Sequence, residues 1–480
     1  MAKNYDSSNK EQLELFLNLV AEQVLHNHLS LFIGAGSSMQ YGAMSWDSLV
    51  DNIFPDFEYG SNTDKAQYAE LNGVNIKKKI CEKLSSCDFN YESPNTYLNN
   101  LLDFDFKSIW TTNYDCIIEK VLQEKSKCFN VVYEYSHFKN LSYPGGCFLF
   151  KINGSQTNAN TIVITHEDFI NYRKSHEAYL ILLKRELLCN SFLFLGCSFN
   201  DDILRICIKD ILNCIENSNE NYATNHFAVI AEKDVIKSDY ICKDLVNHYK
   251  INCLHVSNLK NAYMISQGIM YKVKYNSVFI SGAKRFERNT KEEAFGKQVC
   301  KNLSDAFIRS ELSPYKLILG MGMSIGNFVA GNVKQQVRNK NLNRYLQMEP
   351  FPFTSKKENE AHRKQIIEKA GVFVFIYGDL DENGTSVELS GMWKEYLYAK
   401  SDPNNIIIPL PCGDSSISKI IYQNELNDKN SFTYINKTLI DTFDITKENA
   451  KFFNDLVTCV NLNVRKILDD KINEIANMMV

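Results

Sequence analysis

The sequence predicts an α/β protein with two doubly wound parallel sheets, and three observations support this prediction. Short apolar runs, typical of buried strands, alternate with amphipathic helical segments along most of the chain. Several runs end in Gly, Ser, Thr, Asn or Asp just before a helix, where α/β sheets bind ligands. At 480 residues the chain is also too long for one ordinary core. We therefore expect two Rossmann-like domains, a larger one over residues 1–272 and a smaller one over 273–480.

Composition favours a globular protein that stays in the reducing cytoplasm. The chain is 44% hydrophobic and 23% charged, and its net charge of −4 gives no reason to expect nucleic-acid or membrane partners. None of the 14 cysteines is spaced as Cys-x-x-Cys, so neither a disulfide framework nor a metal site is expected. The first residues are polar and lack the apolar core of a signal peptide.

The stretch 31–38 is the first candidate site. A short apolar run ends there in two glycines separated by one small residue, and two hydroxyl side chains follow. This pattern predicts a buried strand that turns sharply into a helix and presents backbone N–H groups. Such groups can receive a phosphate, although strand–helix turns that bind nothing are also common. The candidate residues are Gly34, Ala35, Gly36 and Ser37.

Three later apolar runs end in polar residues in the same way. The simpler alternatives are that Thr112 or Asn113 caps the next helix, and that Asn153 belongs to an ordinary Asn-Gly turn. Four strand ends of this kind nevertheless favour a binding site at the carboxyl edge of the first sheet. The residues concerned are Thr112, Asn113 and Asp115 after 106–111, Asn153 after 147–152, and Gly196, Ser198 and Asp201 after 191–195.

Other segments complete the two predicted sheets. Residues 67–84 have the apolar spacing of one helix, and strands are expected at 227–231 and 252–256. A new series of strands begins near residue 277 and forms a second crevice. Its predicted strands are 277–281, 315–320, 372–377 and 406–410, and glycines or basic residues follow the first two.

The motifs of the first half resemble those of the sirtuin family. Residues 34–37 match its nucleotide-binding turn, 112–115 match its asparagine–aspartate motif, and 196–199 with Asp201 match its Gly-x-Ser segment. Sirtuin deacylases also contain a four-cysteine zinc module, which this sequence lacks. The first half is therefore similar to the sirtuin-like NADases of bacterial antiphage defence, and a protein deacylase is disfavoured.

The second half resembles SLOG domains, which sense nucleotides. The matching positions are Ser281-Gly282, the Gly320-x-Gly322-x3-Gly326 segment, and Glu388. A sirtuin-like domain followed by a SLOG domain is similar to the Thoeris antiphage defence effectors. This resemblance implies hydrolysis of NAD+ to nicotinamide and ADP-ribose without a metal. It also implies activation by a cyclic ADP-ribose isomer made by a TIR-domain partner, and assembly as a homotetramer.

The resemblance assigns roles to the candidates of the first domain. Asn113 would orient the attacking water or ribose hydroxyl, and Asp115 would bind ribose or hold its loop. The family's catalytic histidine lies in a Lys-x-His-Gly segment, where this chain has Asn153, whose amide cannot act as a base. His166 is interpreted as a surface or capping residue. The NAD+ contacts are otherwise expected at 34–37, Gly196, Ser198 and Asp201.

Two explanations of Asn153 remain open. It is either a substitution introduced to trap NAD+, or the natural residue of a weakly active or non-catalytic nucleotide sensor or scaffold. The first is favoured because the other positions of the motifs match the family.

In the second domain, the resemblance implies that Arg363 grips the effector phosphates and that Glu388 takes ribose hydroxyls. For Lys364 a solvated helix face is the favoured alternative. The expected effector contacts are Gly282, Ala283, Arg285, Gly320, Gly322, Gly326, Arg363, Lys364 and Glu388.

Overall fold

The computed structural model contains two compact units, which are described separately. Unit 1 comprises Met1–Ile269 and Glu474–Val480, and unit 2 comprises Met270–Asn473. The described residues are 2–479 without 54–59, 92–94, 143–145, 198, 200–201, 217–224, 311–313, 321–323, 339, 351–354, 379–386, 388–389, 414–415 and 429–432.

Unit 1 contains an eight-stranded parallel sheet. Its strand order is β1-β8-β7-β6-β2-β3-β5-β4, so the direction of winding reverses between β2 and β6. The central strands β2 and β6 are buried along their whole length, which explains why their sequences are apolar apart from Ser30 and Ser191. The strands are β1 (Asn4–Asp6), β2 (Leu29–Ile33), β3 (Ser108–Thr111), β4 (Phe129–Val132), β5 (Cys147–Lys151), β6 (Ser191–Leu195), β7 (His226–Ala231) and β8 (Ile251–Val256).

Helices connect these strands, and one predicted helix is wrong. The segment 67–84 is divided between two helices because the chain turns at Gly73, whose φ is +75°. The helices are α1 (Lys10–Leu25), α2 (Ala35–Met39), α3 (Trp46–Ile53), α4 (Asn62–Leu71), α5 (Ile76–Ser85), α6 (Tyr97–Leu101), α7 (Ile117–Glu124), α8 (His166–Ser175), α9 (Glu177–Cys189), α10 (Asp202–Glu216), α11 (Val235–Tyr249) and α12 (Leu259–Tyr275).

Unit 2 contains a five-stranded parallel sheet of order β11-β10-β9-β12-β13, whose winding reverses between β9 and β12. The predicted fold class, an α/β protein with a larger and a smaller parallel sheet, is confirmed. The strands are β9 (Ser277–Ser281), β10 (Lys316–Gly320), β11 (Leu346–Glu349), β12 (Val372–Ile376) and β13 (Ile406–Leu410). The helices are α13 (Lys291–Ile308), α14 (Ile325–Gln336), α15 (Leu342–Tyr345), α16 (Lys356–Glu368), α17 (Gly391–Lys400), α18 (Ile417–Asn427), α19 (Lys437–Asp441) and α20 (Ala450–Met479).

Within the described ranges, no helix has both the length and the apolar character needed to cross a bilayer. Each of the two sheets has one point at which the direction of winding reverses. In open α/β sheets, ligands bind outside the carboxyl ends of the strands at such a point.

A buried histidine in unit 1 gives the first testable prediction. His226 Nδ1 accepts a hydrogen bond from the backbone N–H of Phe192 at 3.1 Å, and burial lowers the pKa of His226 to about 4. An unfolded histidine titrates near pH 6.5, so below that pH the unfolded chain gains a proton that the native protein excludes. Lowering the pH from 7 to 5.5 should therefore remove about 1 kcal/mol of unfolding free energy through this residue.

Urea denaturation of the unchanged chain and of His226→Gln at both pH values measures this contribution. Glutamine keeps a hydrogen-bond acceptor but does not titrate, so the variant should lose about 1 kcal/mol less than the unchanged chain. The same pH dependence in both proteins would contradict a neutral buried His226.

Candidate functional sites

The turns after β2 and β6 touch each other at the reversal point of the first sheet. Gly34 N–H donates to the Leu195 carbonyl at 2.9 Å, and Gly36 N–H donates to the Gly196 carbonyl at 3.1 Å. A Cβ on Gly34 would lie 2.4 Å from the Gly196 oxygen. These glycines are therefore required where two backbones meet, and the N–H groups of Gly34 and Gly36 are already used inside the protein.

Asn113 is fixed against the β2 turn from the neighbouring strand. Its backbone N–H donates to Thr111 Oγ1 at 3.0 Å, and its side-chain amide donates to the Gly34 carbonyl at 3.1 Å and to Ser38 Oγ at 3.0 Å. Asn113 is only 6% exposed, and its Oδ1 is buried without a hydrogen-bond partner. The hydrogen bonds thus hold the side-chain nitrogen of Asn113 in place and leave its Oδ1 able to accept a hydrogen bond from a ligand.

Asp115 lies on the same loop and bonds to two elements. Its Oδ2 accepts from Ser38 Oγ at 2.7 Å, and its Oδ1 accepts from the backbone N–H of Ile117 at 3.1 Å. The alternative that Thr112 or Asn113 simply caps the helix after β3 is therefore contradicted. The capping acceptor is Asp115, which lies nearer to α7 in the chain. Its carboxylate satisfies the Ile117 N–H group in the first turn of that helix.

Asn153 follows β5, the strand next to β3. Thr111 and Lys151 are opposite each other in this pair, so Asn113 and Asn153 each lie two residues beyond paired positions. The Asn153 carbonyl accepts from Val163 N–H at 3.0 Å, while its side-chain Oδ1 is buried without a partner. Two buried amide oxygens that lack donors thus follow adjacent strand ends, which is an arrangement suited to a ligand with hydroxyl groups.

These strand ends open into one cavity of about 1990 Å³. This volume exceeds the 300–1,000 Å³ typical of small-molecule sites and leaves room for a dinucleotide. Ser37 does not line the cavity, because it is buried with its hydroxyl donating to the Gly34 carbonyl at 2.7 Å. Ser198 and Asp201 lie outside the described residues. The predicted residues that line the cavity are Gly34, Ala35, Gly36, Thr112, Asn113, Asp115, Asn153 and Gly196.

The cavity wall also contains residues for which no binding role was predicted. Trp46 lies with its ring centroid 5.5 Å from that of Tyr114, and both line the cavity. His166 is the first residue of α8, and its Nε2 lies 2.6 Å from Asp64 Oδ1 at the surface. Hydrogen bonds from Ser61 and His166 lower the pKa of Asp64 to about 2. His166 is thus a surface residue, as expected, although it also borders the cavity.

The second sheet has a similar backbone contact at its own reversal point. Gly378 N–H donates to the Ala283 carbonyl at 3.0 Å, which joins the turn after β12 to the turn after β9. A Cβ on Gly282 would lie 2.5 Å from the Ile376 oxygen. Of the other predicted glycines, Gly320 ends β10 and Gly326 is buried in α14. Gly322 and Glu388 lie outside the described residues.

A buried carboxylate connects this crevice to Arg363. Glu395, on α17, accepts from Ser281 Oγ at 2.6 Å through Oε2, and its Oε1 lies 3.4 Å from Arg363 Nε. Burial raises the pKa of Glu395, an effect that Ser281 and Arg363 oppose. Lys364, in contrast, is exposed and lies with Nζ 5.2 Å from the centroid of the Tyr398 ring. Arg285 is also exposed.

Comparisons with known proteins agree with this two-part organisation. The SIR2-like domain family matches residues 107–254, and the Sir2- and TIR-associating SLOG family matches residues 263–467. The chain is 27% identical to the NAD(+) hydrolase ThsA of Enterococcus faecium over 424 residues, which cover 83% of this chain and 87% of that relative.

Two further relatives have the same name. Identity to the NAD(+) hydrolase ThsA of Bacillus cereus is 25% over 83% of this chain and 86% of the relative. Identity to that of Cytobacillus dafuensis is 23% over 91% of this chain and 93% of the relative. The chain therefore combines a SIR2-like domain with a domain of the Sir2- and TIR-associating SLOG family, and it is similar to the ThsA relatives over most of its length.

Proposed function

We propose that unit 1 is an NAD+ hydrolase of antiphage defence, and that a cyclic ADP-ribose isomer bound by unit 2 activates it. The observation that carries this proposal is the cavity at the reversal point of the first sheet, which Asn113, Asp115 and Asn153 line together with the β2 and β6 turns. The names of the ThsA relatives support the choice of NAD+ as substrate.

The reaction breaks the bond between C1′ of the ribose and the nicotinamide nitrogen. Nicotinamide leaves with the bonding electrons, and a water oxygen bonds to C1′ and releases a proton. Asn113 Oδ1, which lacks a donor, would accept a hydrogen bond from this water or from a ribose hydroxyl. Asp115 is anchored by Ser38 and would favour the positive charge that develops on the ribose. The pyrophosphate would lie along the turn at 34–38, although the N–H groups of Gly34, Gly36 and Ser37 bond within the protein and would not be its donors.

Asn153 does not supply the general base that this reaction needs, because an amide cannot accept the proton of the attacking water near neutral pH. This residue supports a second candidate function, a sensor or scaffold that binds nucleotides without turnover. The two functions differ in a simple assay. Nicotinamide release from NAD+ is followed with and without cyclic ADP-ribose and its ribose-linked isomers, in the unchanged chain and in Asn153→His.

The NAD+ hydrolase predicts effector-dependent release in the histidine variant. Absence of release with every isomer, in a variant that calorimetry shows to bind NAD+, would leave the sensor as the function. Absence of NAD+ binding as well would overturn both. The proposal also includes a TIR-domain partner as the source of the effector and a homotetramer, which light scattering would detect.

Arg363 gives a prediction for unit 2. Arginine binds phosphate with paired, charge-assisted hydrogen bonds, so Arg363→Gln should weaken binding of the activating isomer by about 10- to 100-fold. Isothermal titration calorimetry measures this change. Lys364→Gln is the matched control, because it removes one positive charge from the adjacent, exposed position and should change affinity by less than about twofold. Equal losses in the two variants would contradict a specific role for Arg363.

A further inference from the structure

Lys151 is a fully buried lysine at the end of β5. Its side chain is 0% exposed, and its Nζ donates to three acceptors. These are the backbone carbonyls of Asp115 at 2.5 Å and Tyr114 at 3.3 Å, and Glu119 Oε1 at 2.7 Å. An ammonium group has three N–H donors, so this site satisfies each of them. Such complete pairing is what allows a charge to be buried at all.

The two carbonyls belong to the loop between β3 and α7, which carries Asn113 and Asp115. On its other side, the loop is held by Ser38 Oγ, which bonds to both of those side chains. Lys151 itself lies two residues before Asn153. One buried ammonium therefore connects the segment with Asn113 and Asp115 to the segment with Asn153.

We propose that Lys151 is a positioning residue, which fixes the loop of Asn113 and Asp115 relative to Asn153 and thereby to the nicotinamide ribose. This inference rests on the proposed NAD+ hydrolysis, since it concerns the ribose end of that substrate. Misplacement of a reacting group by about 1 Å can slow an enzyme by about 100-fold. The adenosine end of the ligand would not depend on this loop.

The chain contains a matched control lysine. Lys127 Nζ donates to the carbonyls of Asp103 at 2.7 Å and Phe104 at 3.5 Å, and to Asp105 Oδ1 at 2.9 Å. It thus makes the same kinds of bonds, but to the loop that precedes β3, at the opposite edge of the sheet. Lys127→Met should therefore affect stability without affecting the ribose end of the site.

The experiment compares Lys151→Met and Lys127→Met, each combined with Asn153→His, by kinetics with NAD+ and by calorimetry with NAD+ and ADP. Lys151→Met should lower kcat/KM for NAD+ by at least about tenfold and weaken NAD+ binding by about threefold or more. Its affinity for ADP, which lacks the nicotinamide ribose, should stay within about twofold. Lys127→Met should change none of these values by more than about twofold.

A second variant separates positioning from folding. Lys151→Met leaves the largely buried Glu119 side chain, which is 12% exposed, without its cation, and the protein can fail to fold for that reason alone. The double variant Lys151→Met/Glu119→Leu removes both charges, so it should fold while the loop carbonyls still lack their donor. We expect this variant to remain as slow as Lys151→Met.

Recovery of kcat/KM in the double variant would overturn the proposal, and so would equal losses of NAD+ and ADP binding in Lys151→Met. If the Asn153→His background hydrolyses no NAD+ with any isomer, the proposed function fails. The comparison of NAD+ with ADP binding then decides the role of Lys151 by itself.

Discussion

Replacing Asn153 with histidine is expected to raise NAD+ hydrolysis by about 100- to 10,000-fold, the usual contribution of a general base. The imidazole would follow β5 beside Asn113, where the Asn153 amide now has a buried oxygen without a donor. It would accept the proton of the attacking water. The rate of nicotinamide release, measured at saturating NAD+ and effector, tests this expectation directly.

The pH profile identifies the new base. A histidine with an ordinary pKa is half protonated near pH 6.5, so the rate of Asn153→His should fall tenfold per pH unit well below that value. The unchanged chain should lack this dependence. Asn153→Gln is the control for size and polarity, because it keeps an amide. If it is accelerated as strongly as Asn153→His, base catalysis at position 153 is contradicted.

Gly34→Ala is expected to disrupt unit 1 at its centre. The Gly34 backbone is extended, with φ of −100° and ψ of −178°, so alanine can adopt its conformation. The expected destabilisation is purely steric, because the new Cβ would lie 2.4 Å from the Gly196 oxygen and 2.8 Å from Cys197 Cα. Separating the two turns should cost about 3 kcal/mol of unfolding free energy and weaken NAD+ binding at least tenfold.

Denaturation and calorimetry measure these two losses. Gly331→Ala is the control, because a Cβ at this position in α14 would meet nothing within 4 Å. Alanine is the better helix former, so that variant should gain up to about 1 kcal/mol. Unchanged stability and NAD+ affinity in Gly34→Ala would show that the two turns do not need their close backbone contact.

The sequence predicts the central strands of both sheets because they are buried on both faces and therefore largely apolar. It does not reveal β1, β4 or β11. These strands have three or four residues, lie at the edges of their sheets and are only partly buried, so they have no continuous apolar run. The division of 67–84 into two helices is missed because a glycine also occurs within helices.

The general position of the candidate site can be predicted from the parallel arrangement of the strands. The carboxyl ends of parallel strands meet at one edge, so Asn113 and Asn153 could be placed near Gly34 from the order of motifs alone. The hydrogen-bond partners that hold these residues in place could not be predicted from the sequence. Lys151 and Glu395 are charged residues whose role depends on burial, and Glu395 contacts Ser281 from 114 positions away. No local sequence pattern predicts a contact between residues so far apart in the chain.

The contact between the β2 and β6 turns also has a consequence for synthesis of the chain. Gly34 meets Leu195 and Gly196, about 160 residues later, and Ser38 meets Asp115 across 77 residues. Such long-range contacts can form only after the later of the two segments has been synthesised. A nascent chain that has not yet released β6 from the ribosome therefore has no completed nucleotide cavity. If the protein consumes NAD+, the cell that makes it is not exposed to that activity until most of unit 1 has been translated.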